Sequence, residues 1–292
     1  MNDSIFYINH SDSDDSDEGL KEALARREMV VYPDKQILVT AVATRMLLKI
    51  SDLLTRQERV DVALTGGTTG IDVLKAASVS TAQCIIEFPR VHFWFGDERF
   101  VQQDSDDRNA KQAREAWLDG LVRNGLLPEE NIHEMPADTR PRREADVAPA
   151  RTNDEILDAA AERYNDELSV ALGNKERKTL DIALFGVGPD GHFASLFPHH
   201  HAMQVHDPNQ RVTGVSHSPK MPPLRLSLTL PFIQQTNYVW MVASGLSKAD
   251  AVHSAIERPG DPDIPSSFAA GHRQTLWMVD RNAFSAQQHI LS

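Results

Sequence analysis

Short apolar runs alternate along this chain with longer amphipathic stretches, and this alternation limits the fold more than any other feature. The runs are rich in β-branched or aromatic residues, which is typical of strands buried on both faces. Parallel strands need long crossover connections, which the amphipathic stretches provide as helices. The pattern predicts an α/β fold, a mainly parallel sheet covered by helices on both faces. The predicted strands are 29–32, 60–64, 91–95, 180–185, 238–243 and 275–279, and the predicted helices are 35–55, 70–76, 109–124, 154–172, 230–235 and 247–257.

Two segments lack this order. Residues 10–19 consist mainly of Ser and Asp, which indicates a solvated acidic turn or tail. Residues 136–149 combine charge and Pro without an apolar period. We therefore expect an N-terminal strand and acidic segment over 1–28 and a single α/β domain over 29–292, with a surface loop at 136–152.

Composition and charge exclude several classes of protein. Hydrophobic residues make up 41% and charged residues 25% of the chain, as in ordinary globular proteins. No apolar run approaches the ~18 residues of a membrane span, and the acidic N-terminus does not resemble a signal peptide. The lone Cys84 lies in an apolar stretch, so we expect a buried thiol and a cytoplasmic protein. A net charge of −12 disfavours nucleic-acid binding but leaves room for a small anion.

Glycine-rich segments follow three of the predicted strands, at the sheet edge where open α/β folds bind ligands. Gly66, Gly67 and Thr68 stand between a strand and a helix, where free N–H groups can hold phosphate, although a plain turn has the same pattern. Asp97 and Arg99 follow the next strand, in a run that is otherwise typical of a solvated loop.

The third glycine-rich segment presents Asp190 and His192 in a tight turn. Histidine suits proton transfer near neutrality, and a nearby carboxylate can orient its ring. A catalytic pair is the better interpretation, the alternative being a His that merely caps a helix. Further on, Arg225 supplies one cation and Lys248 another. Ser247 and Asp250 have the spacing of a capping box, which predicts Lys248 in the first helical turn.

Taken in order, these motifs resemble the 6-phosphogluconolactonase family, which is related to glucosamine-6-phosphate deaminase and ribose-5-phosphate isomerase. They read Thr-Gly-Gly-Thr, Gly-Asp-Glu-Arg, Gly-x-Gly-Pro-Asp-Gly-His-x-Ala-Ser-Leu-Phe-Pro, Arg-x-Ser-Leu and Ser-Gly-x-x-Lys-Ala. The resemblance implies a Rossmann-like fold and hydrolysis of 6-phosphogluconolactone in the pentose phosphate pathway, without metal or cofactor. Phe193 and His199 depart from the family, which usually has Thr and Gly there.

Roles follow from the resemblance residue by residue. His192 would be the general base toward water, oriented by Asp190. Gly66, Gly67, Thr68 and Lys248 would hold the phosphate, Arg99 and Arg225 would neutralise it or contact the sugar, and Asp97 would contact a hydroxyl. Ser195 has no adjacent base in the sequence, so a covalent serine route is not expected.

Two other functions stay open. A glucosamine-6-phosphate deaminase would use Asp97 to remove a carbon-bound proton, but such enzymes carry Asn-Glu-Pro where this chain has Leu196-Phe197-Pro198. A non-catalytic sugar-phosphate sensor would not need a proton acceptor poised near neutral pH. The partner is expected to be a small sugar-phosphate lactone, and the chain a monomer or a homodimer.

Overall fold

The computed structural model describes residues 27–285. Within this range the strands are β1 (Arg27–Tyr32), β2 (Val60–Leu64), β3 (Val91–Phe95), β4 (Asp97–Arg99), β5 (Ile182–Gly186), β6 (Val212–Val215), β7 (Arg225–Leu228), β8 (Tyr238–Ala243) and β9 (Gln274–Asp280). Six of them form a parallel sheet in the order β1-β9-β8-β5-β2-β3. The predicted α/β fold with a mainly parallel sheet is confirmed.

Helices occupy the connections, as the amphipathic stretches predict. They are α1 (Lys35–Leu54), α2 (Gly67–Ser78), α3 (Asn109–Ala113), α4 (Asp119–Arg123), α5 (Arg142–Val147), α6 (Ala150–Ala171), α7 (Leu230–Gln235), α8 (Ala249–Glu257) and α9 (Arg281–Phe284), and a π-helical turn over Arg114–Leu118 joins α3 to α4. In α1 the Asp34 side chain caps the first turn by accepting the Ile37 N–H. Its buried positions, such as Leu38, Val42 and Met46, recur every four residues and pack into the core.

Strand order fixes where a ligand can bind. The chain moves from β2 to β3 on one side, whereas β5 lies on the other side of β2 and leads on to β8. This reversal opens a crevice at the carboxyl ends of β2 and β5, the usual binding place in open α/β sheets. The ends of β8, β5, β2 and β3 are neighbours, so segments far apart in sequence meet at this crevice.

A second sheet, which the sequence analysis does not predict, extends from this edge. It is antiparallel with the order β4-β7-β6, and it includes Asp97 and Arg99 in β4 and Arg225 in β7. The Asp-Glu-Arg run is therefore a strand and not a solvated loop. Three- and four-residue strands give too short an alternation to be recognised in sequence.

Two further expectations differ from the structure. The predicted surface loop at 136–152 contains α5 and the start of α6, whose N-caps are Pro141 and Pro149; a missing N–H is tolerated there, because it lies outside the hydrogen bonds of the helix. The expectation of a buried Cys84 is wrong, since this residue is exposed in a 3-10 turn over Thr81–Ile85. The acidic segment 10–19 lies outside the described residues. Among the helices between residues 27 and 285, none is both long and apolar enough to cross a membrane.

Candidate active site

A cavity of about 210 Å³ lies at the carboxyl edge of the parallel sheet. Its wall contains, among other residues, nearly all the side chains and glycines that the sequence singles out. They are Gly66, Gly67, Thr68, Asp97, Arg99, His192, Arg225 and Lys248. Asp190 is not in the wall and stands behind His192, to which it is hydrogen-bonded.

The phosphate-binding candidate Gly66–Thr68 lies where β2 turns into α2. The helix begins at Gly67, and Gly66 at the N-cap has no side chain to occupy the first free N–H groups. These groups and the positive end of the helix dipole are therefore left for an anion. Both glycines are required, because Gly67 has φ 74° and a Cβ on Gly66 would lie 1.8 Å from Asn109 Oδ1.

Asp190 and His192 form a directly hydrogen-bonded pair. Asp190 Oδ1 and His192 Nδ1 are 2.5 Å apart, so the ring donates from Nδ1 and Nε2 is the nitrogen left as an acceptor. The loop leaves no room for a side chain beside this pair, because a Cβ on Gly188 would lie 2.0 Å from His192 Nδ1 and 2.5 Å from Asp190 Oδ1. On its other side the His192 ring packs against Phe197, with 4.5 Å between centroids.

The electrostatic surroundings keep this carboxylate charged. Burial by itself would raise the pKa of Asp190, but the hydrogen bond and the charge of His192 outweigh burial and lower it to about 2. Lys220 Nζ lies 3.7 Å from Asp190 Oδ2 and acts in the same direction. The Asp190 carboxylate is therefore charged throughout the neutral range.

Arg99 and Arg225 are direct cross-strand partners in the second sheet. Residues opposite each other on antiparallel strands project to the same face, and like charges there are destabilising. Arg225 is only 4% exposed, and burial together with the charge of Arg99 lowers its pKa. Its guanidinium is anchored by the carbonyls of Lys220, Met221 and Pro222. Both arginines line the cavity, so this side of it carries positive charge.

Lys248 reaches the cavity from the end of β8. It closes a 3-10 turn over Leu246–Lys248, and α8 starts only at Ala249 without a side-chain cap. The predicted capping box is therefore wrong, because the tight turn after Gly245 displaces the helix start past Ser247. Burial lowers the pKa of Lys248, and the Asp190 carboxylate opposes that effect.

Two polar residues to which the sequence motifs assign no role in the site, Ser195 and Asn109, contact Asp97. Ser195 Oγ donates to Asp97 Oδ2 at 2.7 Å, and Asn109 Nδ2 donates to the Asp97 carbonyl at 2.9 Å. Glu98 points away from the cavity and accepts the N–H groups of Asn109 and Ala110 at the start of α3. Burial raises the pKa of Glu98 to about 7, although the hydrogen bonds from these two N–H groups lower it. No sequence signal links Ser195 to Asp97, since they are 98 positions apart.

A larger cavity, of about 410 Å³, lies apart from this site. Phe100, His217 and Met221 belong to its wall, and it shares no lining residue with the first cavity. Its wall includes neither His192 nor Arg99 and Arg225, so the residues that the sequence motifs single out meet at the smaller cavity.

Comparison with known proteins agrees with the fold and the motifs. A model of the family described as glucosamine-6-phosphate isomerases/6-phosphogluconolactonase matches residues 33–277. The chain belongs to this family. The predicted resemblance is therefore confirmed.

Curated relatives place the chain near one branch of the family. The 6-phosphogluconolactonase of Streptomyces coelicolor is 38% identical over 258 residues, covering 88% of this chain and 94% of the relative. That of Mycobacterium tuberculosis is 38% identical over 253 residues, covering 87% and 95%. These family members support the predicted enzyme class, a lactone hydrolase.

Solved structures show the same fold at lower identity. The 6-phosphogluconolactonase of Thermotoga maritima superposes with a TM-score of 0.69 at 24% identity, over 87% of this chain and all (100%) of that one. A monomeric glucosamine-6-phosphate deaminase gives a TM-score of 0.65 at 17% identity, over 87% and 98%. Lactonases and deaminases thus have the same fold, so only the residues of the site can distinguish one activity from the other.

The two departures from the family have different surroundings. Phe193 is fully buried and packs edge to face on Phe185, so its ring takes part in the core and not in the cavity wall. His199 adopts φ 58°, in the left-handed region where the family's usual glycine is unstrained.

Proposed function

We propose that this protein hydrolyses 6-phospho-D-glucono-1,5-lactone to 6-phosphogluconate in the pentose phosphate pathway. The observation that carries the proposal is the joint presence, around one small cavity, of an imidazole–carboxylate pair and of cations beside a helix N-terminus. The first can activate water, and the second can hold a phosphate. The curated relatives from Streptomyces coelicolor and Mycobacterium tuberculosis are named 6-phosphogluconolactonases, which supports this reaction.

A lactone is already electrophilic, so the reaction needs an oriented substrate, one activated water and stabilisation of a developing oxyanion. His192 Nε2 takes a proton from water as the water oxygen bonds to the lactone carbonyl carbon. The tetrahedral intermediate then collapses, and the bond from this carbon to the ring oxygen breaks. The imidazolium returns its proton to the departing ring oxygen. Asp190 holds the ring in place and stabilises its charged form, and no metal or cofactor is needed.

The phosphate is held by the start of α2 together with Lys248. Gly66, Gly67 and Thr68 supply backbone N–H groups, and Lys248 supplies a compact charge. Arg99 and Arg225 neutralise the substrate's charge from the second sheet, which relieves the repulsion between these cross-strand partners. Substrate orientation thus depends on cations from three separate strand ends.

The packing beside His192 disfavours a deaminase. Leu196 and Phe197 are almost fully buried and apolar at the place where the related deaminases carry their Asn-Glu-Pro segment. Phe197 packs on the His192 ring, so no carboxylate from this segment approaches the imidazole. The site is therefore arranged for water activation and not for ring opening assisted by a glutamate.

The location and partners follow from this activity. A sugar-phosphate lactone formed in metabolism favours a cytoplasmic enzyme, in agreement with the free and exposed Cys84. The acidic net charge disfavours nucleic-acid partners. A monomer or a homodimer would serve equally, because all the residues proposed for the reaction come from one chain.

The test compares lactone hydrolysis with ammonia release by the purified protein, with spontaneous lactone hydrolysis subtracted. Replacing His192 by Ala should lower kcat by about 10²–10⁴-fold, the usual contribution of a general base. His253→Ala is the matched control, since His253 is half exposed on α8, pairs with Glu257 and does not line the cavity. Near-normal turnover by the His192 variant would refute its role, and ammonia release without hydrolysis would refute the proposed reaction.

A further inference from the structure

Ser195 follows the catalytic pair closely but cannot act as a nucleophile. It is fully buried and is not part of the cavity wall. Its hydroxyl donates to Asp97 Oδ2 at 2.7 Å, and its backbone N–H donates to Ser227 Oγ at 3.2 Å. The hydroxyl therefore serves a carboxylate on a different strand.

Asn109 contacts the same aspartate from the start of α3. Its Nδ2 donates to the Asp97 carbonyl oxygen at 2.9 Å and makes a longer contact of 3.4 Å to Asp97 Oδ1. These two contacts fix the orientation of the amide, because its oxygen would repel both acceptors. The Glu98 carboxylate in turn fixes the Asn109 backbone by accepting its N–H.

The consequence is a carboxylate with one occupied and one available oxygen. Asp97 is 6% exposed and lines the cavity, and burying a carboxylate requires hydrogen-bond donors. Oδ2 receives the Ser195 hydroxyl, whereas from residues 27–285 Oδ1 receives only the long Asn109 contact, so it keeps capacity to accept. A phosphate offers acceptors and negative charge, so the group that Asp97 can bind is a hydroxyl donor.

We propose that Ser195 and Asn109 are positioning residues that hold Asp97 as a fixed acceptor for a sugar hydroxyl. This inference rests on the proposed function, and it divides the cavity into two parts. The helix N-terminus, Lys248 and the paired arginines take the phosphate and the other negative charge. The Asp97 side selects lactones that carry a hydroxyl at the matching position.

The first experiment measures the kinetics of Ser195→Ala. We expect KM for the lactone to rise about tenfold with kcat nearly unchanged, because a hydroxyl contact made equally in ground and transition states affects binding alone. The inhibition constant of 6-phosphogluconate should rise by a similar factor. That of inorganic phosphate should not change, since phosphate does not contact Asp97.

Ser267→Ala is the matched control. Ser267 is equally buried, but its hydroxyl donates to the Asp261 carbonyl and it does not line the cavity. If Ser195→Ala raised KM only because a buried serine hydroxyl was lost from the packed interior, the control variant would show the same rise. An equal rise in KM in both variants would overturn the inference.

A double-mutant cycle with Asp97→Asn decides whether Ser195 acts through Asp97. The KM effect of Ser195→Ala should largely disappear in the Asp97→Asn background, and full additivity would contradict the inference. Where Ser195→Ala does not fold, Asn109→Ala carries the same cycle and the same expected division between KM and kcat. A wild-type protein without lactonase activity would refute the proposed function, whereas an active wild type with an unaltered Ser195→Ala KM refutes the positioning role alone.

Discussion

Gly188→Ala tests the geometry of the proposed catalytic pair, Asp190 and His192, without removing either member. The added Cβ would lie 2.0 Å from His192 Nδ1 and 2.5 Å from Asp190 Oδ1, distances that no real contact allows. The atoms that it meets belong to side chains and not to backbone, so we expect a folded protein in which the pair has moved. A methyl group at this place must displace the imidazole by roughly 1 Å, and a misplacement of that size costs about 10²-fold in rate. The predicted fall in kcat thus approaches that of His192→Ala itself.

The assay follows release of 6-phosphogluconate through its enzymatic oxidation, with the spontaneous rate subtracted at every pH. Gly120→Ala is the control, because no described atom lies within 4 Å of a Cβ there and Gly120, in α4, does not line the cavity. This variant should keep wild-type turnover. The Tm of both variants is measured by thermal unfolding. A low kcat at an unchanged Tm shows that the side chains have moved in a protein that is still folded. Wild-type kcat in folded Gly188→Ala would refute the argument that the tight loop positions the base.

The remaining predictions concern three side chains, Asp190, Lys248 and His199. Asp190→Asn should lower kcat about tenfold or more, because an amide can turn its NH2 group toward His192 Nδ1 and then no longer fixes the ring with Nε2 as the acceptor; wild-type kcat would contradict this. The lowered pKa of Asp190 also means that its contribution to stability is present above about pH 4 and is lost only as pH falls toward 2, which acid unfolding of the same variant would measure. Lys248→Met should raise the inhibition constant of inorganic phosphate about tenfold or more and weaken its dependence on salt, and an unchanged constant would exclude Lys248 from the phosphate site. His199→Gly should increase the free energy of unfolding by up to about 1 kcal/mol, since it relieves φ 58° and gives up only an exposed 3.4 Å contact to Asp263; denaturant unfolding would show a loss instead if that contact dominates.

Much of this protein could be predicted from its sequence because the relevant signals are local. Apolar runs identify the parallel strands, and glycines directly after them mark the turns at the carboxyl edge. Asp190 and His192 are two positions apart in such a turn, so their proximity follows from chain connectivity alone. The motif order also identified the family, which the match over residues 33–277 confirms.

Tertiary structure decided what depends on distant pairings. The register of β4 against β7 places Arg99 opposite Arg225, and the fold brings Ser195 to Asp97 across 98 positions. Strands of three or four residues carry too little alternation to reveal such a register, and a shift by one residue would turn each side chain to the other face. The sequence by itself therefore determined which residues reach the sheet edge. Only the packed chain determined which of them face each other, because that depends on hydrogen bonds between segments with no local relation.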